Sequence, residues 1–184
     1  MDARDVQRRL IGWQRLNSNG ALLTNCYVAN SPWESDFVKV MKSLYWVEYE
    51  IKVSRSDFRA DFAKSRYEYQ RDENNIVRRV DVGKHDYYAS SALSIGTRKV
   101  PRPKQFYFVC LPSVATVANI PEHAGLIYCD PNDMRGFGMR VEKRAPKLDN
   151  PTKLTEGNLY NLLYKLSWKL ENANGRGSVK GGDS

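Results

Sequence analysis

The stretch VEYEIKVSRSDFRAD, residues 47–61, decides the fold because its residue period changes from that of a strand to that of a helix. Apolar and polar side chains alternate as far as Ser54, and successive side chains of a strand point to opposite faces. Glu48, Glu50 and Lys52 therefore share one face, and the apolar residues share the other. Two carboxylates and an amine in a row are typical either of a solvated strand with cross-strand ion pairs or of a site for a divalent cation and an anionic substrate.

The composition predicts a single folded domain with a basic surface. The 184 residues fall within the usual length of one domain, and 41% hydrophobic residues suffice for a core. The chain carries 29 Lys and Arg against 21 Asp and Glu, a net charge of +8, which favours polyanionic partners such as nucleic acid. Basic charge alone does not decide this, because many proteins carry it without binding nucleic acid.

The cysteines and the N-terminal segment argue against several other classes. Three scattered cysteines and two histidines, without a CxxC pair, do not suit a disulfide framework or a structural zinc site. Cys26 and Cys110 lie inside apolar runs and are predicted to be buried thiols. The chain begins without the apolar core of a signal peptide and contains no apolar run long enough to span a bilayer. We therefore expect a cytoplasmic protein without a membrane partner.

Periodicity along the chain predicts an α/β (α+β) fold, a mixed central sheet of about five strands flanked by helices. Residues 1–172 form the predicted domain, and residues 173–184 form a disordered Gly- and Ser-rich tail. The predicted helices cover residues 2–16, 56–69 and 155–172, and the predicted strands cover residues 22–29, 34–41, 45–54, 105–111 and 125–129, with an edge strand at 138–143.

Three further expectations concern how these elements lie. The polar and basic residues 70–104 are predicted to form a long irregular loop. Residues 105–111, QFYFVCL, are the most strand-like run and are predicted to be central in the sheet. The first and last helices are predicted to bury apolar stripes, which comprise Val6, Leu10, Trp13 and Leu16 in the first and Leu159, Leu162, Leu163, Leu166 and Leu170 in the last.

A hairpin that includes residues 34–41 would bring a further acid to the charged face. In such a hairpin Asp36 can lie beside the end of the second strand, next to Glu50. The two carboxylates and the backbone carbonyl of Ile51 offer hard oxygen ligands of the kind that bind Mg²⁺. Lys52, which points the same way, could orient an attacking water or neutralise the charge that develops on a phosphodiester.

Other acids nearby have two interpretations each. Glu34 and Glu48 are spare carboxylates that are close enough to assist as metal ligands. Asp57 and Asp61 lie four residues apart on one helix face, so they could approach the site. The alternative is that Asp57 caps the helix and Asp61 pairs with a nearby Lys or Arg. Spacing alone leaves the solvated strand open as well.

The order Asp36…Glu50-Ile51-Lys52 resembles the D…(E/D)xK signature of the PD-(D/E)XK nuclease superfamily. More narrowly, EYEIKVSRSDFRAD followed by QFYFVCLP and IPEHAGLIYCD is similar to the small MmcB-like DNA-repair and phage proteins. The segment WESDFVKV matches the one that supplies the upstream acid in that group. The resemblance covers about residues 30–148, and its ordered set of four blocks is more specific than ExK alone.

This resemblance implies a restriction-endonuclease-like fold and phosphodiester hydrolysis that depends on Mg²⁺ or Mn²⁺. It implies Asp36 and Glu50 as metal ligands and Lys52 as the catalytic amine. One departure is that the first predicted helix, residues 2–16, contains no glutamate, whereas many members of the superfamily place one there. Asp5 could replace it.

Basic and aromatic residues around the predicted loop could contact a nucleic-acid backbone and stack on bases. The alternative is a solvated loop without a ligand. His85, which follows one of the basic residues, is a further hypothesis as a general base, whereas His123 is predicted to be structural. The predicted nucleic-acid contacts are Arg66, Arg71, Arg78, Arg79, Lys84, Arg98, Lys99, Arg102 and Lys104.

The leading hypothesis is therefore a metal-dependent nuclease that hydrolyses phosphodiester bonds in DNA, with Mg²⁺ or Mn²⁺ as its cofactor. One alternative is a nucleic-acid-binding protein that keeps the nuclease fold without hydrolysis. Another is a phage-encoded protein that binds host machinery. A homodimer is a further option, since two copies could cut both strands of a duplex.

Overall fold

The computed structural model describes residues 1–31, 33–71, 74–89, 101–133 and 135–175. The predicted tail beyond position 175 and the basic residues Arg98 and Lys99 lie outside the described residues. The helices and strands, in chain order, are α1 (Ala3–Asn17), β1 (Gly20–Cys26), β2 (Ser35–Met41), β3 (Trp46–Lys52), α2 (Arg55–Asp61), β4 (Ser65–Arg71), β5 (Val77–Gly83), α3 (Lys84–Ala89), β6 (Gln105–Cys110), β7 (Ala124–Cys129), β8 (Met139–Lys143) and α4 (Glu156–Gly175).

Among the described residues, six strands form a mixed sheet in the order β1-β2-β3-β6-β7-β8. The central strands β3, β6 and β7 run parallel, while the pairs β1–β2, β2–β3 and β7–β8 are antiparallel. Strands β4 and β5 pair with each other in a separate antiparallel ribbon. The predicted class, a mixed central sheet flanked by helices, is confirmed, with six strands instead of about five. As predicted, β6 is central and β8 lies at an edge.

The predicted hairpin β2–β3 is confirmed, and it sets the position of the upstream acid. Its antiparallel register pairs Phe37 with Tyr49. The preceding residue of β2, Asp36, therefore reaches the level of Glu50 near the end of β3. The hairpin thus brings together two acids that lie 14 positions apart in the chain.

The change of period after β3 occurs where it was predicted, but the helix is shorter. Ser54 caps α2, because its hydroxyl accepts a hydrogen bond of 3.1 Å from the backbone N–H of Asp57. The alternative that Asp57 itself caps the helix is therefore wrong. The helix ends at Asp61, and the prediction that it reaches residue 69 is wrong. The following sequence, RYEYQR, alternates polar and tyrosine residues and forms most of β4, as such alternation favours.

The predicted loop over residues 70–104 is also wrong in its described part. This part contains the end of β4, all of β5 and the short helix α3. The two ends of the ribbon meet at its base, where the carbonyl of Lys64 accepts a hydrogen bond of 3.0 Å from the backbone N–H of Lys84. The ribbon therefore places two lysines that are distant in sequence side by side.

The central sheet has a core on each face. On one face α1 packs through Val6 and Leu10 against the apolar side of β3, as predicted. On the other face α2 and the residues of α3 pack against the aromatic side chains Phe106 and Phe108 of β6. The charged side of β3 faces this second layer, so its charges lie inside the protein.

The two predicted apolar stripes are only partly buried. Leu16 of α1 is exposed, and in α4 Leu162 is buried whereas Leu163 and Leu170 are exposed. The prediction that these three leucines face the core is wrong. A helical period identifies one face of a helix, but it does not tell how much of that face a neighbouring element covers.

The thiols of Cys26 and Cys110 are buried, as predicted. Burial raises the pKa of the Cys26 thiol to about 11 and that of the Cys110 thiol to about 12. Neither cysteine is therefore a reactive thiolate at neutral pH. Within the described ranges, no helix is both long enough and apolar enough to cross a membrane.

Candidate functional site

The charged face of β3 is buried beneath α2 and α3. Glu48, Glu50 and Lys52 expose 2%, 1% and 3% of their surfaces. The alternative of a solvated face is therefore wrong for this strand. Burying carboxylates and an ammonium is costly unless each charge is paired and hydrogen-bonded, so the partners of these three groups define the site.

A cavity of about 380 Å³ lies beside the last residues of β3. The predicted metal ligands Asp36, Glu50 and Ile51 line it together with the predicted amine, Lys52. The structure thus brings the residues of the D…ExK motif to one space. The remaining lining residues, from α1, β1, α2 and the segment after α2, are Ala3, Arg4, Gln7, Asn25, Asp57 and Lys64.

Asp36 is fixed by the hairpin and repelled by Glu50. Its Oδ2 accepts a hydrogen bond of 2.8 Å from the backbone N–H of Ile51, and its backbone carbonyl accepts one of 2.8 Å from Nε2 of Gln7 in α1. Burial, and next the negative charge of Glu50, raise the pKa of the Asp36 carboxyl to about 6. Two carboxylates that repel each other beside a cavity are an arrangement that a divalent cation stabilises.

Lysines hold Glu50 in its ionised form. Its Oε1 accepts hydrogen bonds of 2.8 Å from Lys52 and from Lys64, and its Oε2 accepts one of 2.8 Å from Lys84. Burial by itself would raise the pKa of the Glu50 carboxyl, but the ammonium groups, led by Lys84, outweigh burial and lower this pKa. Glu50 is therefore a buried carboxylate at neutral pH.

The ammonium of Lys52 lies between carboxylates at the wall of the cavity. Its Nζ is 2.8 Å from Oε1 of Glu50, 2.9 Å from Oδ1 of Asp61 and 3.6 Å from Oδ1 of Asp57. Burial by itself would lower the pKa of Lys52, but Glu50 and Asp61 raise it above the ordinary value for lysine. Lys52 is therefore a cation, which can stabilise negative charge but cannot remove a proton from water.

Asp61 contacts the charged residues of the site directly. It is fully buried at the end of α2, and its Oδ1 is 2.6 Å from Nζ of Lys64 as well as 2.9 Å from Nζ of Lys52. Its Oδ2 is 2.8 Å from Nε2 of His85. The expectation that Asp61 pairs with a nearby lysine or arginine is confirmed. Its place at the site was indicated by the four-residue spacing from Asp57, which lines the cavity.

Lys84 is buried between carboxylates instead of facing a nucleic acid. It exposes 0% of its surface, and its Nζ is 3.0 Å from Oε1 of Glu48 and 2.8 Å from Oε2 of Glu50. The other oxygen of Glu48 accepts a hydrogen bond of 2.7 Å from the hydroxyl of Tyr88. The prediction that Lys84 contacts phosphate is therefore wrong. Glu48 binds Lys84 and Tyr88 with its two oxygens, so the prediction that it is a further metal ligand is wrong.

Other predicted contacts also lie elsewhere. Arg102 is buried, donates a hydrogen bond of 2.6 Å to the carbonyl of Tyr87 and stacks 4.6 Å above the ring of that residue, so it does not present a surface charge. Glu34 is exposed and lines a different cavity, of about 210 Å³, beside α4. Lys104 lies 5.8 Å above the ring of Tyr45. The basic residues of the ribbon are Arg66, Arg71, Arg78 and Arg79.

The cavity offers oxygen ligands that fit a hard cation. The carboxylates of Asp36 and Glu50 and the carbonyl of Ile51 are ligand types that Mg²⁺ takes, with water completing its shell. In the part of the chain that the structure describes, no three or more His, Cys, Asp and Glu side chains gather into a metal-binding group. Lys64, whose side chain is 43% exposed, can turn to solvent and leave Oε1 of Glu50 with one ammonium partner, Lys52, instead of two. The residues present therefore fit a cation that keeps several waters.

His123 is expected to make stability decrease as the pH falls from about 6.5 to about 4. Burial, and then the neighbouring His85 and Lys143, lower the pKa of His123 from 6.5 to about 4. In this range the unfolded chain binds a proton that the folded protein resists, so stability rises with pH. His123→Asn is expected to remove about 1–2 kcal/mol of this dependence, measured by urea unfolding at pH 4.5 and pH 7. This expectation would be contradicted if the free energy of unfolding changed by the same amount between the two pH values in the parent and in the variant.

The comparisons with known proteins bear on the fold alone. No family model matches the chain, and no curated protein matches it. The chain is similar to the solved structure of a protein of unknown function from Silicibacter pomeroyi, with a TM-score of 0.55 and 14% sequence identity. The likeness covers 100% of this chain and 98% of that chain. The two chains therefore share their fold from end to end.

Proposed function

We propose that this protein is a metal-dependent nuclease that hydrolyses phosphodiester bonds in DNA. The observation that carries the proposal is the cavity beside β3, which Asp36, Glu50 and Lys52 line together. Repelling carboxylates favour a divalent cation, and an ammonium beside it favours a phosphate. The resemblance of the ordered motifs to the PD-(D/E)XK nucleases supports the same function.

The chemistry divides between the cation and the protein. Asp36, Glu50 and the carbonyl of Ile51 would hold Mg²⁺ or Mn²⁺, which when bound supplies Lewis-acid stabilisation of charge on phosphate oxygens. Lys52 donates a hydrogen bond from its ammonium to a phosphate oxygen on which negative charge grows in the transition state. Because Glu50 and Asp61 fix this ammonium from two sides, little reorganisation is needed when the charge appears.

Positive charge at and beyond the cavity favours a nucleic acid as the substrate. Arg4 and Lys64 line the cavity beside the acids. The ribbon β4–β5, which carries four arginines, begins directly after Lys64 and ends directly before Lys84. Contacts of this kind address the phosphate backbone, so we expect affinity to fall steeply with salt, with a logarithmic slope of about 0.9 per phosphate contact on duplex DNA.

The proposal is tested by DNA cleavage and by metal binding in the same proteins. The parent is expected to cleave plasmid, linear duplex or single-stranded DNA with Mg²⁺ or Mn²⁺, and to lose this activity with EDTA. Asp36→Asn is expected to lower the rate at least about 100-fold and to abolish the rise in melting temperature that Mn²⁺ causes, because it removes a charged ligand. Glu34→Gln, two residues away but in another cavity, is the matched control and is expected to change neither.

A second function has one observation in its favour. Both oxygens of Glu50 already accept hydrogen bonds from lysines, which is the arrangement of a site that neutralises its acids without a metal. A protein of this kind would bind DNA without cutting it. Salt-sensitive DNA binding with no cleavage under Mg²⁺ or Mn²⁺, and a melting temperature that Mn²⁺ does not move, would favour this function over the nuclease.

A further inference from the structure

A line of polar groups extends from the cavity wall past Lys52, through Asp61 and His85, to His123. Nζ of Lys52 is 2.9 Å from Oδ1 of Asp61, and Oδ2 of Asp61 is 2.8 Å from Nε2 of His85. On the far side of the same imidazole, Nδ1 of His85 is 3.2 Å from Nε2 of His123. The line therefore connects a group that faces the cavity with two histidines that do not.

The direction of these hydrogen bonds follows from the charge of Asp61. Burial by itself would raise the pKa of the Asp61 carboxyl, but the hydrogen bond from His85 and the charges of Lys84 and Lys52 hold it well below its usual range. Asp61 is therefore an acceptor only, and Nε2 of His85 must carry the proton between them. In a neutral His85 the other nitrogen, Nδ1, is then an acceptor, so Nε2 of His123 donates to it.

The imidazole of His85 is held in this orientation by the rings around it. The ring centroids of Phe62, Phe108 and Phe106 lie 4.6, 5.4 and 5.8 Å from that of His85. A histidine enclosed by phenylalanine rings has few polar partners to choose from, so its two nitrogens are committed to Asp61 and His123. This packing also means that a phenylalanine would fit at position 85 without opening a cavity.

We propose that His85, backed by His123, is a positioning residue for the site: its Nε2–H fixes the carboxylate of Asp61, and Asp61 fixes the ammonium of Lys52 at the cavity wall. The catalytic consequence of this role depends on the proposed nuclease function, whereas the positioning itself does not. Without the donor from His85, Oδ2 of Asp61 would be a buried acceptor with a missing partner. The carboxylate would then turn, and Lys52 would lose one of its two close carboxylate contacts.

The positioning is tested first by NMR at pH 7, where activity plays no part. The chain has two histidines, so selective ¹⁵N labelling of histidine and lysine yields two imidazole spin systems besides the lysine ammonium groups. The expected result is a slowly exchanging proton on Nε2 of His85, together with a slowly exchanging ammonium signal for Lys52, assigned through Lys52→Met. A His85 whose Nε2 carries no proton would overturn the proposal, because Asp61 could then not be its acceptor.

Two substitutions at position 85 separate positioning from packing. His85→Phe keeps an aromatic ring among phenylalanines but removes the donor, and it is expected to shift or broaden the Lys52 ammonium signal. His85→Gln places an amide N–H near the position of Nε2 and is expected to restore that signal. A Lys52 signal that is the same in His85→Phe and in the parent would overturn the proposal.

Kinetics then show whether the positioning serves the reaction. His85→Phe is expected to lower kcat about 10–100-fold with little change in KM, as loss of a supporting hydrogen bond does in other sites, and His85→Gln is expected to recover most of it. A His85→Phe variant with unchanged kcat would overturn the catalytic part. A parent that does not cleave DNA would overturn the nuclease function instead, and the NMR result would still decide the positioning.

Discussion

Replacing Lys84 by methionine is expected to destabilise the protein by about 3–5 kcal/mol, because it leaves two buried carboxylates without their shared cation. Methionine matches the length of the lysine stem, so the loss reflects charge more than packing. Nζ of Lys84 is 3.0 Å from Glu48 and 2.8 Å from Glu50, and both acids are nearly fully buried. Urea unfolding at pH 7 and low salt measures the free energy of unfolding.

Lys64→Met is the matched control for this change. Lys64 also donates a hydrogen bond of 2.8 Å to Glu50, but its side chain is 43% exposed. Its loss is therefore expected to lower the free energy of unfolding by only about 1 kcal/mol or less. The double variant Lys84→Met with Glu48→Gln is expected to be more stable than Lys84→Met alone, since one of the abandoned charges is removed with its partner. A Lys84→Met protein as stable as Lys64→Met would show that burial does not make this ion pair different from an exposed one.

The predictable part of the site was the part that depends on local geometry. A strand has a period of two residues, so Glu50 and Lys52 had to share a face once residues 47–53 were assigned to a strand. An antiparallel hairpin then constrains which residue lies opposite, and this placed Asp36 beside Glu50. These three side chains required only two strands, one turn and one register.

The rest of the site could not be predicted because it depends on where distant elements pack. Lys84 looked like a surface cation in a polar segment, and only the pairing of β4 with β5 brings it back to the buried face of β3. Asp61 and His85 contact each other across 24 residues of sequence. Nothing in their local patterns indicates that α3 covers the end of α2.

The same limit explains the errors in the fold. Residues 66–69, RYEY, are predicted to end a helix because they follow one, although their alternating tyrosines favour a strand. In α4 the leucines are spaced for a helix face, yet neighbouring elements cover Leu162 and leave Leu163 and Leu170 exposed. The hydrophobic period of a segment predicts well whether it is a helix or a strand. Where the element ends and how much of its face is buried depend on the elements that pack against it.

Replacing Lys52 by methionine is expected to lower kcat for DNA cleavage by about 100–1,000-fold, the usual loss when one preorganised donor to a developing negative charge is removed. The fold should tolerate this change, because Lys64 and Lys84 still donate to Glu50, and Lys64 and His85 remain on Asp61. Steady-state rates on the best DNA substrate, with affinity measured separately in Ca²⁺, distinguish a loss of catalysis from a loss of binding.

Lys64→Met again supplies the comparison, since Lys64 contacts the same two carboxylates as Lys52, at 2.8 Å from Glu50 and 2.6 Å from Asp61. If a catalytic ammonium must be held rigidly, the buried Lys52 should matter for kcat and the half-exposed Lys64 should matter little, because an exposed side chain must first be ordered to act. Equal losses in the two variants would mean that the cavity needs positive charge but no fixed donor. If Lys52→Met kept the activity of the parent, the ammonium of Lys52 would have no role in the reaction.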